Sequence, residues 1–102
     1  MHKMPAIFIG HGSPMNAIED NTYTRSWQKM AASIPRPQAI LTVSAHWYTH
    51  GSYVLNSDRP RTLHDMYGFP KALYDVQYPA KGDPEFSKKV IDLLEGIGIL
   101  DN

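Results

Sequence analysis

The sequence predicts an α/β fold: a βαβ-based parallel or mixed sheet flanked by helices. Three observations carry this. Ala6-Ile7-Phe8-Ile9 and Ala39-Ile40-Leu41-Thr42-Val43 are continuous apolar runs, as expected of strands buried on both faces. Between them Tyr23, Trp27, Met30, Ala31 and Ile34 recur at helical spacing and mark one apolar helix face. Strand, helix, strand is a crossover unit, and such crossovers are right-handed.

Each element has its punctuation. Gly10 closes the first run, and Ser44-Ala45-His46 closes the second. Asn21 or Thr22 caps the first helix, and Pro35 and Pro37 forbid its continuation. Gly51 to Leu55 reads as a further short strand. Asn56 to Gly68 is polar, contains Pro60 and lacks periodicity, so it reads as a long loop of the kind often used functionally. Phe69 to Asp75 reads as a short helix with Pro70 in its first turn. Tyr78 to Gly82 is extended or turn-like. Asp83 caps a second good helix, with Pro84 at its first position. The apolar face of that helix is Phe86, Val90, Leu93, Leu94 and Ile97, and Gly96 ends it. Gly98-Ile99-Leu100 resembles the approach to another strand.

Composition sets limits on function. The 102 residues carry ten Lys plus Arg against ten Asp plus Glu, so the formal charge is zero. There is no basic stripe to match a phosphate backbone, which argues against a nucleic-acid partner. No apolar run approaches the roughly 20 residues that span a bilayer. Zero cysteines exclude disulfides and thiolate metal sites. The chain reads as soluble and cytoplasmic, with no membrane partner. The apolar pattern still runs at Asn102, so residues 1–102 are expected to be the N-terminal portion of a single larger domain. A truncated sheet exposes an apolar edge, so a homo-oligomer is a further expectation.

Two histidines stand where chemistry is expected. His11 follows the first apolar run, and His46 ends the second. In open α/β sheets ligands bind beyond the carboxyl ends of the strands. Adjacent parallel strands lie about 4.8 Å apart, so both imidazoles would emerge at one edge, close enough to share a metal ion. Each also reads as a hydrogen-bonded structural residue in a turn. Two ligands fall short of the three usual for catalytic zinc or non-haem iron. His50 follows His46 by four residues, about 13 Å along a strand, which is too far for one ion, and it reads as a surface residue. Three readings of His64-Asp65 stay open: a surface pair, a group supporting a ligand from behind, or a substrate or proton-transfer group. His2 is terminal. Ser13 fails the Gly-x-Ser-x-Gly elbow, and Gly10-x-Gly12 fails as a phosphate cradle because Pro14 removes an N–H. Trp47, Tyr48, Tyr67 and Phe69 read as core aromatics or as the lining of an aromatic-substrate pocket.

Four motifs in order make the reading specific: Gly10-His11-Gly12-Ser13-Pro14, Ser44-Ala45-His46-Trp47, His64-Asp65-Met66-Tyr67-Gly68-Phe69-Pro70 and Tyr78-Pro79-Ala80-Lys81-Gly82. Together they resemble the LigB family, the class III extradiol aromatic-ring-opening dioxygenases, and most closely its DOPA-dioxygenase branch. The resemblance spans nearly the whole chain but only the N-terminal part of the family domain. Met66 stands where the family usually has Phe, and Lys81 where it has Pro. The resemblance implies His11 and His46 as the first two metal ligands and His64 as a catalytic histidine at the edge of the site. The remaining ligand or ligands and the acid–base histidine would lie beyond Asn102. It also implies a catechol-type substrate such as DOPA, O2 as co-substrate, and Fe(II), or Zn(II) in some members. Such a fragment is expected to be inactive alone. Two other functions compete: a zinc-dependent hydrolase, whose chemistry would survive anaerobic conditions, and a non-catalytic binding module, whose association would not depend on His11.

Overall fold

The structure is a computed structural model that describes residues 3–94 and 96–100. The α/β class holds, with a two-stranded parallel sheet and helices. The chain divides into two compact units, Met1–Gln38 with Met66–Val76, and Ala39–Asp65 with Gln77–Asn102. Among the described residues no helix is long and apolar enough to cross a membrane. His2 lies outside the described residues.

In the first unit the chain turns at Gly12 into a single 3-10 turn, Pro14–Ala17, and then enters helix α1, Thr22–Ala32. Asn21 starts α1 by a reciprocal cap. Its side-chain oxygen accepts from the Tyr23 and Thr24 amides at 2.9 and 3.0 Å, and the Thr24 hydroxyl oxygen accepts from the Asn21 amide at 2.9 Å. These bonds satisfy helix amides that have no carbonyl partner inside the helix. Thr24 is buried as a consequence, while Trp27, Met30 and Ile34 of the expected apolar face are half-buried and Tyr23 is exposed. The helix ends at Ser33, ahead of Pro35, as the sequence required.

The second element of this unit is helix α2, Lys71–Tyr74, with Pro70 at its N-cap. It packs against the 3-10 turn, and its Leu73 is the most deeply buried side chain described. The Tyr74 hydroxyl donates to the Met66 carbonyl and accepts from the Phe69 amide, each at 3.3 Å. It thereby staples the loop that turns at Gly68, whose φ is +81°.

In the second unit strand β1, Ser52–Leu55, pairs in parallel with strand β2, Ile97–Leu100. The register sets Tyr53 opposite Gly98. The tyrosine ring occupies the space where a Cβ at 98 would stand, so a larger residue there would force the ring to shift. Helix α3, Pro84–Leu93, begins at Asp83, whose carboxylate accepts from the Phe86 amide at 3.0 Å. It contacts both strands, and the Ser87 hydroxyl donates to the Leu55 carbonyl at 2.9 Å. Val90 is buried and Phe86 half-buried as expected. Leu93 and Leu94 are exposed, and the side chain of Ile97 lies outside what is described. Gly96 takes a φ of +77° and turns the chain into β2.

The loop after β1 has no regular structure but is not loose. Gly82 donates its amide to the Asp58 carbonyl at 3.0 Å, and Tyr78 donates its amide to the Thr62 hydroxyl at 2.9 Å. The Tyr78–Gly82 segment is thus a strap laid along residues 58–62.

Two expectations fail. Ala6–Ile9 and Ala39–Val43 are not strands; among the described residues β1 and β2 form the sheet. Strand structure needs a neighbour to take its amides and carbonyls, and neither run has a strand beside it. Phe8 and Val43 are 99% and 94% exposed, so their apolar character is unused here. The crossover unit is therefore β1–α3–β2, rather than one built around α1. The aromatics also depart from the core reading: Tyr48 and Tyr67 are almost fully exposed.

One expected outcome tests the strap. A Cβ at Gly82 would run into the Ser57 carbonyl, which is backbone and cannot swing away. Gly82→Ala is expected to destabilise the fold by about 1–3 kcal/mol, read as a lower urea midpoint at unchanged slope. An unchanged midpoint would show that the strap yields freely.

Candidate metal centre

His11 sits in an exposed turn that its neighbours hold in shape. Gly12 has a φ of +66°, a left-handed backbone that favours glycine. The Asn16 side-chain amide donates to the His11 carbonyl at 2.8 Å, and the Asn21 side-chain amide donates to Asn16 at 2.8 Å. Asn21 is also the α1 cap, so a short polar chain ties the histidine turn to the helix start. The Ser13 hydroxyl accepts from the Met15 amide at 3.1 Å and caps the 3-10 turn. That is a structural role, in keeping with the failure of the nucleophile pattern. A shallow cleft of about 580 Å³ runs beside this turn, lined in part by His11, Asn16, Glu19 and Tyr23.

The His11 ring bonds through Nδ1 to the Gly12 carbonyl at 2.9 Å. A carbonyl only accepts, so Nδ1 carries the hydrogen. In a neutral imidazole the lone pair then resides on Nε2.

His46 shows the same arrangement with a stronger acceptor. Its Nδ1 lies 2.9 Å from Asp65 Oδ2, and both side chains are about half exposed. An ionised carboxylate accepts and cannot donate, so Nδ1 is again the protonated nitrogen and Nε2 carries the lone pair. The His46 amide donates to the Ser44 hydroxyl at 3.1 Å, which fixes the turn beneath the ring. Metal-binding histidines are commonly held this way, with the second ring nitrogen donating to a carboxylate or a carbonyl.

Other expected positions divide. His64 is half-buried, next in the chain to the aspartate that reaches His46. His50 is exposed, as expected of a surface residue. His11 belongs to the first unit, whereas His46 and His64 belong to the second. The strand-end argument for a shared ion does not apply here, because the runs preceding His11 and His46 are not paired strands. Among the described residues no group of three or more His, Asp or Glu is arranged to hold a metal. The fit is therefore that of individual imidazole donors, each with Nδ1 engaged. By sequence alone Asp65 has three open roles, because nothing periodic links it to His46, 19 residues earlier. Asn16 carries no sequence signal, since its partners are a backbone carbonyl and another asparagine.

Comparison with known proteins adds an independent finding. Residues 5–100 match the family described as the catalytic LigB subunit of aromatic ring-opening dioxygenase. The chain is 56% identical over 97 residues to an Escherichia coli (strain K12) protein named 4,5-DOPA dioxygenase extradiol, covering 95% of this chain and 36% of that one. Proteins of the same name from Beta vulgaris and Mirabilis jalapa are 42% and 35% identical, over 89% and 90% of this chain and 35% and 36% of their own lengths. The chain thus spans little more than a third of the curated relatives it matches.

The turn carries its own expected outcome. A Cβ at Gly12 meets only the Asn16 side-chain nitrogen at an ordinary 3.5 Å, so the cost of Gly12→Ala is conformational. It should be about 1–2 kcal/mol, read as a lower denaturation midpoint, and Gly12→Asn should cost less because asparagine tolerates this backbone. Equal midpoints for all three proteins would mean that the turn does not hold the left-handed conformation.

Proposed function

The chain belongs to the LigB family, and on that premise we propose that it is the N-terminal portion of the catalytic domain of an extradiol ring-cleaving dioxygenase. The proposed substrate class is a catechol such as DOPA, with O2 as co-substrate. The names of the relatives in bacteria and plants support this.

His11 and His46 are assigned as two ligands of a divalent non-haem metal. The observation that carries the assignment is the shared state of their rings, each bonded through Nδ1 to an obligate acceptor. Neutral imidazole suits Fe(II) and Zn(II) alike. A bound Fe(II) would supply the redox chemistry that O2 insertion beside two catechol hydroxyls requires, whereas zinc, which has no redox chemistry, would bind the substrate without oxidising it. The protein's own part is to present uncharged nitrogen donors, so that negative charge stays on the substrate oxygens. His64 is assigned to the edge of the site as a catalytic histidine. Two imidazoles fall short of the three ligands such a metal normally takes, so these 102 residues alone should turn over little or no catechol.

Metal titration of the unaltered protein beside His11→Ala and His46→Ala tests the assignment. Each substitution should weaken Fe(II) or Zn(II) binding by at least 10-fold, on the scale seen when metal-site groups are lost. Binding unchanged in both variants would remove the metal assignment. Oxygen uptake with Fe(II) and DOPA should stay at background, and full turnover would overturn the two-ligand account.

A further inference from the structure

We infer that Asp65 is a positioning residue that selects Nε2 as the ligating atom of His46; the inference rests on the metal assignment proposed above for His46. An imidazole has two nitrogens and two neutral tautomers, and either nitrogen can serve a metal. An unconstrained neutral imidazole exchanges between them and rotates about its side-chain bonds. The carboxylate of Asp65 removes both freedoms. Its Oδ2 stands 2.9 Å from His46 Nδ1, close enough to fix the hydrogen on that nitrogen and the plane of the ring with it.

The anchor comes from a different part of the chain. Asp65 lies in the long loop after β1, whereas His46 precedes β1. Within the second unit that loop is itself held, because Thr62 and Asp58 bond to the Tyr78–Gly82 strap. The carboxylate therefore reaches His46 from a supported segment. An ionised carboxylate is also a stronger hydrogen-bond acceptor than a neutral carbonyl, so it holds the ring more firmly. His11 has the weaker version, a neutral carbonyl of the next residue. The two rings are thus held unequally, His46 by the stronger acceptor.

The test reads the tautomer before any metal is added. Long-range 15N–1H spectra of the metal-free protein, at a pH where His46 is neutral, should show hydrogen on Nδ1. In Asp65→Ala the hydrogen should move to Nε2 or average between the nitrogens, and Asp65→Glu should return it to Nδ1. Cobalt(II), followed by its visible absorption, should bind Asp65→Ala about 10–100-fold more weakly, with Asp65→Glu recovering most of the loss. Hydrogen on Nε2 in the unaltered protein would overturn the inference, even if the variants fail to fold. So would cobalt affinity unchanged in a folded Asp65→Ala when His46→Ala abolishes binding, and that outcome would leave the metal assignment standing. If instead His46→Ala binds cobalt normally, the metal assignment falls and the inferred role falls with it, whatever the tautomer.

Discussion

A ring nitrogen that donates a hydrogen bond cannot at the same time donate its electrons to a cation. That constraint gives the His46–Asp65 contact its meaning, because a carboxylate facing Nδ1 places the ring's hydrogen on that nitrogen and its lone pair on the other. The contact is half exposed, so water screens its contribution to stability, and its importance lies in orientation. The Gly12 carbonyl imposes the same protonation state on His11. Two rings in different units of the chain are thus set in the same chemical form by unrelated local means.

The surrounding architecture serves these local settings. The histidine turn is tied through Asn16 to Asn21, the residue that starts α1, so one polar side chain caps a helix and braces a loop. Asp65 arrives on a loop that would otherwise be a long unstructured excursion. The Tyr78–Gly82 strap holds that loop at two points, and Gly82 is required there because a side chain would meet the Ser57 backbone. Helix α3 is tied to β1 through the Ser87 hydroxyl and the Leu55 carbonyl. Apart from the Asn16–Asn21 link, each of these bonds satisfies a backbone group.

Helices were legible because their boundaries are written locally. Asn21, Pro70 and the Asp83-Pro84 pair each mark a helix start within one or two residues of where it occurs. The short strands near Gly51 and Gly98 were legible for the same reason. The runs at Ala6–Ile9 and Ala39–Val43 were not, because apolar content records a preference for burial and says nothing of the partner that would provide it. Phe8 and Val43 remain in contact with solvent for want of such a partner. Site residues followed the same division. His11 and His46 stood out by type and by motif. The Asp65 contact spans 19 residues of chain and the Tyr78–Thr62 bond spans 16, and no sequence period encodes either.

The most direct measurement is the proton spectrum of the cobalt(II)-loaded protein. Histidines bound through Nε2 keep a hydrogen on Nδ1 near the paramagnetic ion, where its resonance is displaced far downfield and vanishes in D2O. The account predicts exchangeable signals of this kind from both rings, one missing in His11→Ala and another in His46→Ala. A spectrum whose displaced exchangeable signals survive both substitutions would contradict it.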